Sequence, residues 1–212
     1  MSSVAVAIEC SQDTRSAAVT LAGTVVAIKS ELGFRQHGER LGSLVEEARL
    51  EAGVSWSQVD HLFVGVGPGS FTGIRVAVAA TRAFALTIDR PVHAVTTFEA
   101  LAAFQEGPSL CLVDARRDRF YGQEMDDHGL SVGAARIATV EQWLSQHRGP
   151  DQVLAADPME RLDDRFCRRI ELDASLVAAA ALRGIDRGSA AIAGSAVQPY
   201  YLRAPDATPM AV

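Results

Sequence analysis

The sequence predicts an α/β protein of two related halves, each a mixed sheet with helices on its faces, the second one reduced. Three observations carry this. Short apolar runs alternate with helical patterns in the order β-β-β-α-β-α-β-α as far as Glu106. A shorter series of strand-like runs starts afresh near Gly107-Pro108 and ends in another helical pattern. Between the two strongest elements of the first half, a glycine-rich stretch marks a tight strand-to-helix turn.

The elements follow in order. Val4 to Ile8 is a short apolar run, read as a buried strand. Ser16–Leu21 and Thr24–Lys29 are β-prone, with Ala22-Gly23 as a two-residue hairpin turn. A helix over Gly38–Ala52 has Leu41, Leu44, Val45 and Ala48 on one apolar stripe and Glu39, Arg40, Glu46, Glu47, Arg49 and Glu51 elsewhere. Strand Leu62–Val66 leads through Gly67–Gly73 into a helix over Ile74–Ile88. Strand Val92–Val95 follows Pro91, and Thr96-Thr97-Phe98-Glu99 has capping-box spacing for the next helix. This order matches a ribonuclease-H-like core.

In the second half, Leu110–Ala115, Arg119–Met125 and Ser131–Ala138 read as strands. Thr139-Val140-Glu141-Gln142 caps a short helix to about His147, Val153–Ala156 is a strand, and Ala174–Arg183 is an alanine-rich helix. The expected units are residues 1–106, residues 107–203 and a disordered tail, 204–212.

The chain has 212 residues, 48% of them hydrophobic, and a net charge of -6. That balance argues against a broad nucleic-acid or membrane surface on this chain. Cys10, Cys111 and Cys167 are odd in number and scattered, which speaks against a disulfide framework and suits a reducing cytoplasm. Without a run of about twenty apolar residues or a cleavable start, a soluble cytoplasmic protein is expected.

The glycine-rich stretch is the most informative feature. Gly67, Gly69 and Gly73 can take positive φ or admit a close backbone, Pro68 fixes its own φ, and Ser70 or Thr72 can cap the next helix around Phe71. Phosphate loops have this general form. A Walker A loop needs a terminal lysine, however, and the chain's one lysine is Lys29. The spacing is G-x-G-x-x-x-G rather than the dinucleotide G-x-G-x-x-G, and no G-x-S-x-G surrounds Ser70. A close-packing structural turn is the alternative.

Helix Ile74–Ile88 is apolar all round, with Arg75 and Arg82 as its charges. Such a helix is covered on more than one side, either by its own fold or by a partner. Leu41, Leu44, Val45, Ala48, Arg75, Val78, Ala79 and Arg82 are therefore candidate partner-binding residues. Glu9 and Asp114 stand at the ends of corresponding strands, as metal-phosphate-binding acids do. The turns after them, Cys10-Ser11-Gln12 and Ala115-Arg116-Arg117, lack the glycines that phosphate requires. They can equally bond to loops at the seam. The five histidines form no i, i+3 or i, i+4 pair, so no metal site is expected. Arg116, Arg117 and Arg119, like Arg165, Arg168 and Arg169, read as solvated charge clusters.

The run Gly65-Val66-Gly67-Pro68-Gly69-Ser70-Phe71-Thr72-Gly73-Ile74-Arg75 resembles the signature of the TsaB (YeaZ) family. Ala7-Ile8-Glu9, His37-Gly38-Glu39-Arg40-Leu41, Val113-Asp114-Ala115-Arg116 and Tyr200-Tyr201-Leu202-Arg203 support it in the family's order. The resemblance implies two ribonuclease-H-like halves of the actin, sugar-kinase and Hsp70 type. It implies a non-catalytic subunit that binds the transferase TsaD through its first two helices, here 38–52 and 74–88. Together they support formation of threonylcarbamoyladenosine at position 37 of tRNAs reading ANN codons. The resemblance also implies that the ATPase TsaE joins the complex; no cofactor is expected in this chain alone, ATP being possible at the complex interface, and the apolar surface of helices 38–52 and 74–88 is expected to pair with a second copy when TsaD is absent. Ile8-Glu9-Cys10 departs from the family's Ile-Asp-Thr. Two other classes stay open: a small peptidase-like hydrolase or ATPase using the glycine loop, and a homodimeric interaction protein unrelated to tRNA.

Overall fold

The computed structural model describes residues 3–33, 37–146, 152–156 and 167–202. Its first half comprises β1 (Val4–Glu9), β2 (Thr14–Leu21), β3 (Thr24–Leu32), α1 (His37–Glu51), β4 (His61–Gly67), α2 (Phe71–Ile88), β5 (Val92–Thr96) and α3 (Thr97–Ala102). The second comprises β6 (Ser109–Asp114), β7 (Phe120–Met125), β8 (Ser131–Ala138), α4 (Val140–Gln146), β9 (Gln152–Ala156), β10 (Arg168–Ile170) and α5 (Ala174–Asp186). The short strand β10 escaped the sequence reading because three residues carry no usable periodicity. The expected tail, 204–212, lies outside the described residues.

The two sheets have one topology. The first runs β3-β2-β1-β4-β5 and the second β8-β7-β6-β9-β10. In each, three antiparallel strands are followed by two parallel ones. Local chemistry sets the connections. Ala22 and Gly23 both have positive φ, so the β2–β3 turn follows the right-handed strand twist. Thr96 and Glu99 form a reciprocal capping box that opens α3.

Alternation along β1 divides the core of the first half. Val4, Val6 and Ile8 face α1 and α2 together with Leu62, Val64 and Val66. Ala5 and Ala7 face the other way with Ala18, Phe63 and Val95, and there Ala174, Val177, Ala178 and Ala181 of α5 cover them. Small residues on both surfaces let this helix lie close to the sheet. Thus α5 follows the second sheet in sequence yet seals the first. Phe98, Leu101 and Ala102 of α3 pack reciprocally on the second sheet, against Cys111, Val113, Met125, Leu154, Ala156 and Ile170. A boundary at 106/107 separates the sheets but not their cores.

Among the described residues, the outer face of the second sheet is covered by the short helix α4. Trp143 of α4 lies over Gly122, where a β-carbon would stand 2.3 Å from its ring, and Arg136 lies 4.0 Å above that ring. Among the described residues, α2 is the one helix that its length and composition alone would let cross a membrane. Here Ile74, Ala77, Val78, Thr81 and Ala85 of that helix are buried in the protein.

Candidate functional site

The glycine loop is built around the chain reversal that follows β1. Gly67 has φ +94°, and a β-carbon there would meet Ile74 Cδ1 at 2.4 Å. On Gly69 it would meet the Ser11 carbonyl oxygen at 2.1 Å, and on Gly73 the Cys10 carbonyl oxygen at 1.8 Å. Gly73 is helical, so its requirement is space and not φ. The Ser70 N–H donates to the Ser11 carbonyl at 2.6 Å. Ser70, rather than the exposed Thr72, caps α2, its hydroxyl accepting from the Gly73 N–H at 3.3 Å. The Thr97 hydroxyl donates to the Pro68 carbonyl at 2.7 Å and lies 3.2 Å from the Ser11 hydroxyl. The loop therefore grips the backbone of residues 10 and 11.

Glu9 is fully buried beneath it. One carboxylate oxygen accepts the Ser11 N–H, and the other has no hydrogen-bond partner among the described residues. That second oxygen lies against Gly65, where a β-carbon would stand 1.7 Å from it. Burial is the main influence on this carboxyl, pushing its pKa up to about 7 against the lowering effects of the Ser11 hydroxyl and of the Ser11 and Cys10 N–H groups. Asp114 makes the matching bond in the second half, its oxygen accepting the Arg116 N–H at 2.8 Å, but it is exposed. Both acids thus bond to the loop two residues ahead, one alternative left open by the sequence.

A nucleoside triphosphate does not fit this turn. Its two carbonyls are packed on Gly69 and Gly73, the residues after β1 include no glycine, and the acid is enclosed. At the other turn, Arg116, Arg117 and Asp118 all have positive φ and are exposed. Arg119 is exposed too, Arg168 lies 4.4 Å over the Phe104 ring, and Arg165 is outside the described residues.

The helix pair alters the expected partner surface. Leu41, Leu44, Val45 and Ala48 of α1 and Val78 of α2 are buried in the chain's own core, so they are corrected as direct docking residues. Of the eight candidates, Arg75, Ala79 and Arg82 reach the surface. The helix is apolar all round because its own chain covers it on several sides, α1 and Trp56 included. The sheet takes one side, and residues 192–201 take another. Ile192 pairs with Val92, Gly194 closes on Ala85, and the Arg82 Nε–H donates to the Val197 carbonyl at 2.8 Å. Tyr201 stacks on Phe71 with ring centres 4.9 Å apart, and Arg75 lies 4.7 Å from the same ring. No periodicity in residues 192–201 announces this strap; Tyr200-Tyr201 stood out only through the family resemblance. Outward on α2 are Thr72, Arg75, Ala79, Arg82, Ala83, Leu86 and Thr87, with Leu86 86% exposed and Leu50 of α1 62% exposed.

Four similarities to known proteins bear on this arrangement. Residues 23–180 match the family model described as TsaD, tRNA N6-adenosine threonylcarbamoyltransferase. Protein Rv3421c of Mycobacterium tuberculosis is 30% identical over the whole of this chain and 99% of its own length. The tRNA threonylcarbamoyladenosine biosynthesis protein TsaB of Escherichia coli is 30% identical over 67% of this chain and 64% of its own length. The solved structure of YeaZ from Pseudomonas aeruginosa shares the fold, with a TM-score of 0.79 and 24% identity over 94% of this chain and all of that one.

Proposed function

The chain belongs to the TsaB (YeaZ) branch of the TsaD family, and from that premise we propose that it is a non-catalytic subunit docking a TsaD-type transferase. It has a role in threonylcarbamoyladenosine biosynthesis. In this reading it supports the modification of adenosine 37 in tRNAs reading ANN codons, with a TsaE-type ATPase joining the assembly. Any ATP belongs to the interface of that complex.

The observation that carries the proposal is the outer row of α2. A helix already covered by the sheet and by residues 192–201 still presents Ala79, Ala83 and Leu86 beside Arg75 and Arg82. Small side chains there let a partner helix approach to about 8–10 Å. Leu41, Leu44, Val45, Ala48 and Val78 hold the two helices in place from beneath. When the transferase is absent, the same face pairs with a second copy, giving a two-fold symmetric dimer. The glycine loop Gly67–Gly73 serves this face structurally, by setting where α2 begins. The packed turn over Glu9 weighs against the hydrolase or ATPase alternatives.

The test is binding of the TsaD-type transferase to wild type, Ala79→Arg and Leu86→Glu, with self-association followed by ultracentrifugation. Both variants place charge on exposed positions and keep the fold, yet an unpaired charge desolvated at the interface costs about 2–5 kcal/mol. Loss of binding and of dimer is expected. Unchanged binding by both would put the interface elsewhere. Purified chain alone is expected to turn over no ATP, and steady hydrolysis abolished by Glu9→Ala would overturn the non-catalytic assignment.

A further inference from the structure

We propose that His61 and His93 form a two-histidine site for a zinc-class divalent cation at the edge of the first sheet. The residues stand 32 apart in sequence, and no local spacing connects them. The sheet brings them together. Phe63 on β4 is the register partner of His93 on β5, and His61 lies two residues before Phe63, so both imidazoles share one face. They sit at the N-terminal ends of their strands, at the opposite end of β4 from the glycine loop.

The geometry suits chelation. His61 Nδ1 and His93 Nε2 are 3.3 Å apart. Two nitrogens each about 2.0–2.1 Å from a tetrahedral zinc ion are roughly 3.3–3.4 Å apart. The rings are held before any metal arrives. Phe63 meets His93 edge-on with centres 5.5 Å apart, and stacks with His61 at 6.3 Å. His93 is 8% exposed while His61 is half-buried, so one ligand is anchored and the other is reachable from solvent. Strand-borne ligands with packed rings hold their positions well.

Binding uses the neutral rings, with His61 protonated at Nε2 and His93 at Nδ1, which frees the facing nitrogens. The hydrogen now shared between those nitrogens passes to the far nitrogen of its own ring, so no net proton is released. Water completes the remaining positions. Among the described residues no group of three His, Cys, Asp or Glu side chains stands ready for a metal, which makes this an open site of modest affinity. The inference is independent of the role proposed for α2.

The probe is zinc chloride, titrated calorimetrically into the full chain, His61→Asn and His93→Asn. Imidazole nitrogen signals of the ¹⁵N-labelled wild type are followed in parallel. One bound zinc per chain is expected, with the facing nitrogens of His61 and His93 shifting together. Affinity should fall about tenfold or more in either variant, since even loss of an outer-sphere partner costs 10–100-fold. If His93→Asn fails to fold because its ring is buried, His61→Asn and the wild-type ring signals decide. Equal affinity in His61→Asn, or zinc binding that leaves these two rings unmoved, would show a simple His–His hydrogen bond and overturn the site.

Discussion

Glu9 and Gly65 have interlocking requirements: the carboxyl occupies the volume of the β-carbon that Gly65 lacks. Its folded pKa of about 7 lies above the ordinary 4.5 because burial disfavours the charge. The folded state therefore holds more protons than the unfolded one between about pH 4.5 and 7. Stability from this group is present at low pH and lost as pH rises through that window. The shift corresponds to about 3 kcal/mol. Glu9→Gln is expected to flatten that loss and to be more stable than wild type above pH 7, in denaturant titrations at pH 5 and 8. Comparing the two proteins at each pH removes the opposing effect of His93, whose pKa burial lowers. An unchanged pH slope would mean that Glu9 is solvated or ion-paired. Nearby, Gly69→Val and Gly73→Val should each cost about 1–3 kcal/mol by pushing on the Ser11 and Cys10 carbonyls. Unaltered melting temperatures in both would mean that the loop does not hold that turn.

At the level of elements, α2 resolves the ambiguity of a helix apolar on every side. Its residues divide into those beneath the sheet, those beneath the strap and an outward row. Val78, 3% exposed, belongs to the first group and Leu86, 86% exposed, to the last. Val78→Glu is therefore expected to destabilise the fold by several kcal/mol through a buried unpaired charge, whereas Leu86→Glu should melt within about 0.5 kcal/mol of wild type. Thermal unfolding of the two separates a core position from a docking position. Similar destabilisation in both would mean that Leu86 is packed in the monomer. Sequence could not make this division, because its apolar periodicity reports that a helix is covered and not what covers it.

Across the whole molecule, the two halves exchange cover. Removing residues 107–212 strips α5 from Ala5, Ala7, Ala18, Phe63 and Val95, and leaves α3 without the second sheet. An isolated 1–106 fragment is expected to lack a cooperative melt and to bind hydrophobic dyes, as exposed sheet faces do. A sharp two-state transition for that fragment would show that α1 and α2 alone suffice. The exchange also explains how a chain with few aromatic residues forms one body. Alanine-to-alanine contacts at the α5 seam depend on close approach rather than side-chain bulk.

Most of the architecture was legible because it is written in local periods and punctuation. Ala22-Gly23 specifies its hairpin, Thr96 and Glu99 their cap, and the Gly67–Gly73 run the turn into α2. The glycines declared that something must come close there. Only the tertiary structure decided that it is the backbone of Cys10 and Ser11, since a missing β-carbon leaves room without naming its occupant. The same limit applies to Leu41, Leu44, Val45, Ala48 and Val78, whose spacing indicates one face but not its partner. It applies again to Glu9 and to the His61–His93 pair, whose surroundings come from strands distant in sequence. Periodicity is a property of neighbours along the chain; burial and juxtaposition are properties of the sheet that gathers them.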